Sequence, residues 1–446
     1  MPAPPSPPSP WPAPLRDTVR RFEESAAVSR GAAAGTFRTW FEQRSVKQRA
    51  DVSLIAFADL DGWSFEPSYG DLVHRSGQFF GVRGLSVSTP GAQWCQPVID
   101  QPEIGVLGIL AKEFDGVLHF LMQAKMEPGN VNSVQLSPTV QATWSNYTGV
   151  HRGRGVRYLE HFRPGRDRVL VDVLQSEPGS WFLGKRNRNM VVETTDEVPE
   201  HEDFRWLTAG ELRALLRHDN VVNMNARSVL SCFPSAGQRD TAELRRWLTA
   251  RKAATLLRRR RVPLAGLPGW HRSADAIAHE RGRYFSIVAA DVRADSREVP
   301  AWTQPLLRPA GEGLVAFLLR ERAGETQVLV QGRAEAGSLD LLELAPTVQC
   351  TPTNYTRPPR FLEEVLAPDR SRIRFDTRLS DEGGRFHHAV QRFLLVEAAD
   401  GPDDPGEGFR WTGLGELIAL VQYGYQLNMQ ARTLLACLQA TGTRHE

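Results

Sequence analysis

Leu136-Ser137-Pro138-Thr139-Val140-Gln141-Ala142-Thr143-Trp144-Ser145-Asn146-Tyr147-Thr148 is written a second time, roughly two hundred positions further on, as Leu344-Ala345-Pro346-Thr347-Val348-Gln349-Cys350-Thr351-Pro352-Thr353-Asn354-Tyr355-Thr356. A period this long belongs to a duplicated domain, since stacked solenoid units recur every ~20–50 residues. Two related pockets are therefore expected, and their differences carry information.

The correspondence spreads outward from this segment. Trp40 and Gly62-Trp63 answer to Trp247 and Gly269-Trp270, and His74-Arg75-Ser76-Gly77-Gln78-Phe79-Phe80 to His279-Glu280-Arg281-Gly282-Arg283-Tyr284-Phe285. Trp94-Cys95-Gln96-Pro97 matches Trp302-Thr303-Gln304-Pro305, Gln123-Ala124-Lys125-Met126-Glu127-Pro128-Gly129 matches Gln331-Gly332-Arg333-Ala334-Glu335-Ala336-Gly337, and Asn223-Met224-Asn225-Ala226-Arg227 matches Asn428-Met429-Gln430-Ala431-Arg432. Each unit is about 195 residues, an ordinary domain size, and is expected to bury its own core. The division is a disordered Pro-rich tail over 1–16, a first unit over 17–236 and a second over 237–446, with the linker near Ser235-Ala236-Gly237-Gln238.

Within a unit, Gly105–Leu110 and Val117–Gln123 are strand-length apolar runs around Asp115-Gly116, a hairpin signal. Gly313–Leu319 and Thr326–Gln331 repeat it around Ala323-Gly324. Thr208-Ala209-Gly210-Glu211 and Thr412-Gly413-Leu414-Gly415-Glu416 resemble capped helix starts before apolar residues at helical spacing. The fold class is α+β, with a mixed sheet flanked by helices in each half.

The 446 residues carry 54 basic and 52 acidic side chains, so no global field recruits nucleic acid or an anionic membrane. Arg258-Arg259-Arg260-Arg261 is the one dense charge run; without interleaved aromatics it reads as a solvated or domain-contact segment. Cys95, Cys232, Cys350 and Cys437 are widely spaced and read as buried thiols of a reduced, soluble, cytoplasmic protein. Neither a secretion signal nor a membrane-spanning apolar run is present. Motifs for dinucleotides, phosphate loops, serine hydrolases and zincins are missing, and the histidines fall at no metal-ligand spacing, so no cofactor and no metal is expected. Eleven tryptophans and repeated amide side chains suit a pocket that stacks a base and hydrogen-bonds a sugar.

The run from His74 through Gln96-Pro97, the Gln123–Gly129 and Leu136–Thr148 segments and the Asn223–Arg227 ending resemble the NDP-hexose 2,3-dehydratases, over about Arg38 to Ala440 and in both halves. The resemblance implies tandem Nudix-like domains, a homodimer, and action on dTDP-4-keto-6-deoxyglucose in 2,6-dideoxysugar biosynthesis, with the product passed to a 3-ketoreductase. The Nudix metal-binding helix has no full counterpart here; Arg360-Phe361-Leu362-Glu363-Glu364 is a fragment of it. Metal-dependent pyrophosphate hydrolysis is not expected, and the competing reading is a non-catalytic nucleotide-sugar binding protein.

In the implied reaction the 4-ketone acidifies the proton on carbon 3, so the substrate carries its own electron sink. The protein must supply a base, for which Glu127 and His74 are candidates, and donors for the enolate, for which Lys125 and Tyr147 are candidates, the latter also a possible acid. The rival readings are a surface ion pair for Lys125 and Glu127, a structural histidine repeated as His279, and a packing tyrosine repeated as Tyr355. The expected ligand frame is Trp63, Gln123, Gln141, Thr143, Trp144, Ser145, Asn146, Thr148 and Asn225 in the first unit, and Trp270, Arg283, Gln331, Arg333, Thr351, Asn354, Tyr355, Arg357 and Asn428 in the second. Arg227 and Arg432 are candidates to grip the diphosphate, against ion pairs near a helix. Lys125 becomes Arg333, Trp144 becomes Pro352, Arg75 becomes Glu280 and Asn225 becomes Gln430. Arginine stays charged where lysine can exchange a proton, so the first unit is the expected seat of chemistry.

Overall fold

The structure, a computed structural model, describes residues 13–29, 31–143, 155–294, 299–399 and 403–441. Trp144, Ser145, Asn146, Tyr147 and Thr148 lie outside the described residues, as does the tail up to residue 12. The first unit opens with helices α1 (Ala13–Ala27) and α2 (Gly31–Lys47). Its strands are β1 (Asp51–Ile55), β2 (Trp63–Phe65), β3 (Leu72–His74), β4 (Gly81–Thr89), β5 (Ala92–Asp100), β6 (Gly105–Phe114), β7 (Val117–Met126), β8 (Val134–Pro138), β9 (Val140–Ala142), β10 (Arg168–Ser176), β11 (Arg186–Glu193) and β12 (Phe204–Thr208). Helices α3 (Ala209–Leu215) and α4 (Met224–Ser231) close it.

The second unit repeats the plan. Helix α5 (Ala242–Ala254) precedes β13 (Arg258–Val262), β14 (Trp270–Arg272), β15 (Ala276–His279), β16 (Phe285–Arg293), β17 (Ala301–Pro309), β18 (Gly313–Arg322), β19 (Glu325–Arg333), β20 (Glu343–Pro346) and β21 (Val348–Cys350). Helix α6 (Leu362–Leu366), β22 (Ile373–Ser380), β23 (Val390–Glu397), β24 (Phe409–Gly413), α7 (Leu414–Leu420) and α8 (Met429–Ala440) follow. Helix α1 starts inside the stretch expected to be tail.

Both expected hairpins form, β6 with β7 and β18 with β19. Asp115 (φ 50) with Gly116 (φ 78), and Ala323 (φ 52) with Gly324 (φ 75), supply the two left-handed residues that a tight hairpin turn matching strand twist requires. Helix α3 starts at a reciprocal cap: Glu211 N–H donates to Thr208 Oγ1 (3.1 Å) and Thr208 N–H donates to Glu211 Oε2 (2.8 Å). Gly413 N–H likewise donates to Glu416 (2.9 Å) at the start of α7.

Each unit contributes a seven-stranded mixed sheet and most of a five-stranded one. The large sheets run β10-β11-β6-β7-β12, with β8 beside β7 and β9 beside β6, and equivalently β22-β23-β18-β19-β20, with β21 beside β18 and β24 beside β19. Strands β6 and β11, and β18 and β23, pair in parallel. In the small sheets the units exchange strands. Strand β15 covers only Ser286–Val288 of one edge of β16, and the rest of that edge, Ala289–Arg293, is taken by β1 of the first unit. Strand β13 takes Gly84–Ser88 of β4 in return, next to the single β3 pairing at Val82. An open edge of backbone donors and acceptors is a liability, and the exchange closes both. The arginine run Arg258–Arg261 is therefore a structural strand at the contact between units, with Arg261 held by Asp71 (2.5 Å).

The units also share a core. One continuous apolar cluster includes Phe120, Leu136, Val229 and Cys232 of the first half with Phe317, Leu344, Phe393 and Leu434 of the second. The expectation that each half buries its own core is corrected accordingly. At the pseudo-twofold centre, the equivalent residues Phe182 and Phe386 meet at 5.4 Å, both fully buried. The loop after each of β10 and β22 crosses to the other unit: Gly129 N–H donates to Gly383 O (2.7 Å) and Gly337 N–H to Gly179 O (2.6 Å). A Cβ on Gly129 would stand 1.7 Å from Phe386 O, and one on Gly337 1.8 Å from Phe182 O, which explains why the glycine ends both copies of the motif.

All four cysteines are free; Cys232 and Cys437 are buried, whereas Cys95 and Cys350 are only half-buried. No helix among the described residues is long and apolar enough to cross a membrane.

Candidate active site

Alternation along β7 places Gln123 and Lys125 on one face, and Ala124 and Met126 in the core behind. Glu127 follows the last residue of the strand and is only 3% exposed. Glu127 Oε1 accepts a hydrogen bond from Gln141 Nε2 (2.9 Å) and lies 3.6 Å from Lys125 Nζ. The Gln141 carbonyl in turn accepts from Ser137 Oγ (3.3 Å). Glu127 Oε2 is buried with no hydrogen-bond partner among the described residues. Leaving such an atom unpaired costs ~1–3 kcal/mol or more, so a proton or a ligand donor at that oxygen would be stabilising. The Lys125–Glu127 pair lies largely out of solvent, its side chains 12% and 3% exposed, and is not a surface ion pair.

The repeated Pro-Thr-Val-Gln segment explains itself residue by residue. Thr139 Oγ1 donates to Leu121 O and accepts from Leu110 N–H (2.8 Å), bridging β6 and β7 where β8 parts from β9. Thr347 does the same for Leu329 O and Leu318 N–H (3.0 Å). Val140 and Val348 are core, and the glutamine orients the carboxylate.

The second unit builds the same cluster with a different finish. Glu335 Oε1 accepts from Gln349 Nε2 (2.9 Å) and from Ser180 Oγ of the crossing loop (2.9 Å), and Arg333 Nε stands 3.4 Å away. In the first unit the crossing loop presents Glu382 and Gly384 at the positions of Pro178 and Ser180. Burial pushes the Glu382 carboxyl up to about 7; Glu127 and Glu177 push the same way, and Arg385 and Lys185 oppose. Glu382, Ser180 and Arg385 were not among the expected site residues. The repeat of Ser176-Glu177-Pro178-Gly179 as Ser380-Asp381-Glu382-Gly383 is the signal that could have found them.

Several expected ligand contacts are engaged within the fold. Arg227 and Arg432 are fully buried on the packed helices α4 and α8. Arg227 donates to Val222 O (2.5 Å) and, across the units, to Ser380 O (2.7 Å), and Arg432 to Leu427 O (2.7 Å) and Ser176 O (2.6 Å). These guanidinium groups tie the two halves and have no open face for a diphosphate. Trp63 and Trp270 donate from their indoles across the units, to Thr303 O (3.1 Å) and Cys95 O (2.7 Å). His74 packs edge-on against Trp63 (5.2 Å) with Ser76 at Nδ1 (2.8 Å), as His279 packs on Trp270 (5.6 Å). Burial, then Arg75, lowers the His74 pKa, burial lowers that of His279, and the same turn geometry recurs in both units.

Asn225 and Gln430 are buried within α4 and α8. Asn428 caps α8 by accepting from Ala431 N–H (3.0 Å) and donates to Gln349 (2.8 Å), so it acts through that glutamine. Gln331 turns its amide to Pro346 O (2.8 Å). Asn354 accepts from Tyr284 N–H (3.0 Å), which brings the Arg283 turn beside the loop carrying Thr351, Tyr355 and Arg357; Tyr355 and Arg357 are exposed. Thr143, half-buried, continues the strand face of Gln141.

The duplicated α+β fold, with a Lys-Glu-Gln cluster around a buried carboxylate in one half and an Arg-Glu-Gln cluster in the other, is that of one family: the chain belongs to the NDP-hexose 2,3-dehydratases, whose family model it matches over residues 34–233 and again over 241–438. It is 49% identical to the dTDP-4-dehydro-6-deoxy-alpha-D-glucopyranose 2,3-dehydratase of Amycolatopsis orientalis, over 96% of this chain and 95% of that one. The proteins of the same name from Streptomyces violaceoruber (49%, covering 90% and 96%) and Saccharopolyspora spinosa (44%, 95% of each) are similar along nearly their whole lengths as well.

Proposed function

We propose that this chain eliminates water across carbons 2 and 3 of dTDP-4-dehydro-6-deoxy-D-glucose, and that the first unit's cluster performs it. Glu127 Oε2 takes the proton from carbon 3, the electrons pass into the 4-ketone, and the resulting enolate expels the hydroxyl from carbon 2, which takes a proton from Tyr147 and leaves as water; the proton held by Glu127 then restores the tyrosine. The enol so formed tautomerises to a 3,4-diketone, the substrate of a 3-ketoreductase. The observation that carries the reading is the buried Oε2 of Glu127, without a hydrogen-bond partner among the described residues, with Lys125 beside Oε1. Lys125 offers a positive charge to the enolate, a class of interaction that contributes a few kcal/mol. Tyr147 is the proposed acid for the departing hydroxyl. Gln123, Gln141, Thr143, Trp144, Ser145, Asn146 and Thr148 are the proposed frame for the sugar and nucleotide; Arg283, Arg333, Thr351, Asn354, Tyr355 and Arg357 are the counterpart frame of the second unit.

In the second unit both Ser180 and Gln349 already donate to Glu335, which supports a binding rather than a reacting site there. We read each unit as Nudix-like and the protein as a cytoplasmic homodimer, which light scattering of the purified chain would check. The direct assay supplies dTDP-4-dehydro-6-deoxy-D-glucose in deuterated buffer: recovered substrate should carry deuterium at carbon 3, and coupling to a 3-ketoreductase with NADPH should yield a 2-deoxy sugar with deuterium at carbon 2. Tight binding without exchange or elimination would instead identify a nucleotide-sugar binding protein.

A further inference from the structure

We propose that Ser137 is a positioning residue of the first unit's site, acting through Gln141 to hold the Glu127 carboxylate by one oxygen and leave the other for the reaction. The inference rests on the reading of Glu127 as base, while its geometry does not. Ser137, on β8, is paired with Gln123 of β7, and Gln141, on β9, with Leu107 of β6. Between them Thr139 fastens the chain where the two strands part, through Leu121 O and Leu110 N–H. The serine hydroxyl, fully buried, donates to Gln141 Oε1 (3.3 Å), and Gln141 Nε2 donates to Glu127 Oε1 (2.9 Å). Glu127 Oε2 is left without a hydrogen-bond partner among the described residues. A glutamine amide has an acceptor end and a donor end, and pairing the first holds the second in place.

The second unit meets the same need by another route. Ala345 stands at the position of Ser137 and has no hydroxyl to give. There Asn428 Nδ2 donates to Gln349 Oε1 (2.8 Å), its own Oδ1 held by Ala431 N–H (3.0 Å), and Gln349 Nε2 donates to Glu335 Oε1 (2.9 Å). Asn223, the counterpart of Asn428, caps α4 through Ala226 N–H (2.8 Å) in the same way, but among the described residues only Asn428 also donates to the glutamine. A contact that merely followed from the course of β8 would have disappeared with Ala345. Two different donors to one amide carbonyl instead mark its orientation as a requirement of the carboxylate beside it.

The test measures steady-state kinetics of the full chain on dTDP-4-dehydro-6-deoxy-D-glucose, coupled to a 3-ketoreductase with NADPH, each variant being checked for an unchanged melt. Ser137→Ala should lower kcat about fivefold with KM kept within about twofold, the size expected from one lost hydrogen bond. It should also enlarge the isotope effect of deuterium placed at carbon 3, because proton transfer is the step that slows; a general loosening of the fold would not. Ser137→Thr keeps the hydroxyl and should recover most of the loss. In a Gln141→Leu background Ser137→Ala should have no further effect, and that cycle decides the matter if the threonine variant does not fold. An unchanged kcat in Ser137→Ala, or losses that simply multiply in the double variant, overturns the inference. Glu127→Gln is the separate control: full activity there fails the base assignment, whereas a dead Glu127→Gln beside an unaffected Ser137→Ala fails this inference alone.

Discussion

At the scale of single residues, the two copies of one motif have been finished differently. Among the described residues Glu127 Oε2 is buried without a hydrogen-bond partner, whereas Glu335 Oε1 accepts from both Gln349 and Ser180. Glu127→Gln is expected to lower turnover by more than about tenfold, as loss of a general base does, while Glu335→Gln should act mainly on binding; steady-state kcat and KM for the two variants would separate these effects. Glu343 makes a second contrast, because its counterpart in the first unit is the neutral Gln135. Both reach across the units, Glu343 accepting from Ser176 Oγ (2.7 Å) and Gln135 donating to Ser380 Oγ (2.6 Å). Burial pushes Glu343 up to about 7. A carboxyl raised in the folded state contributes stability that is intact below its ordinary value and lost as pH climbs through about 7. Glu343→Gln should therefore leave Tm nearly unchanged at pH 5 and raise it at pH 8; equal effects at both would show that Glu343 is not titrating there.

At the scale of elements, the repeated segment is a join. Thr139 links Leu121 O to Leu110 N–H at the point where one edge strand hands over to the next. Thr139→Val would strand both backbone groups in the core and cost about 1–3 kcal/mol, readable as a lower denaturant midpoint at an unchanged m-value. Gly129→Ala is more severe, since its Cβ would meet the Phe386 carbonyl at 1.7 Å. With backbone on both sides and no side chain to move aside, the cost should reach about 4 kcal/mol or more, and thermal unfolding would show it. An ordinary melt for Gly129→Ala would mean that the crossing loop can shift away.

At the scale of the whole molecule, the halves are interlocked. Strands β1 and β13 are exchanged, Arg227 and Arg432 each donate to a carbonyl of the other unit, and one apolar cluster runs through both. Residues 1–236 or 237–446 expressed alone would leave an open edge on the small sheet and half of a core facing water. Neither is expected to give a cooperative melt by circular dichroism, and co-expression of the two should recover one. A half that folds by itself would show the exchange to be dispensable.

The amino-acid sequence alone was sufficient for the duplication, the α+β class, both hairpins and the helix starts. Those features depend on neighbours in the chain: alternation puts Gln123 and Lys125 on one face, Asp115-Gly116 turns the strand, and Thr208 with Glu211 caps the helix. The tertiary structure decided the rest. Alternation says which face a strand buries but not whose edge it joins, so Arg258–Arg261 could not be placed in the other unit's sheet. Tryptophan and arginine read as ligand contacts because their chemistry suits a nucleotide; it equally suits a buried donor to a distant carbonyl, and only burial and distance choose between them. The loop that carries Glu382 reaches the Glu127 turn solely because two glycine-bearing turns, far apart in the chain, pack backbone against backbone.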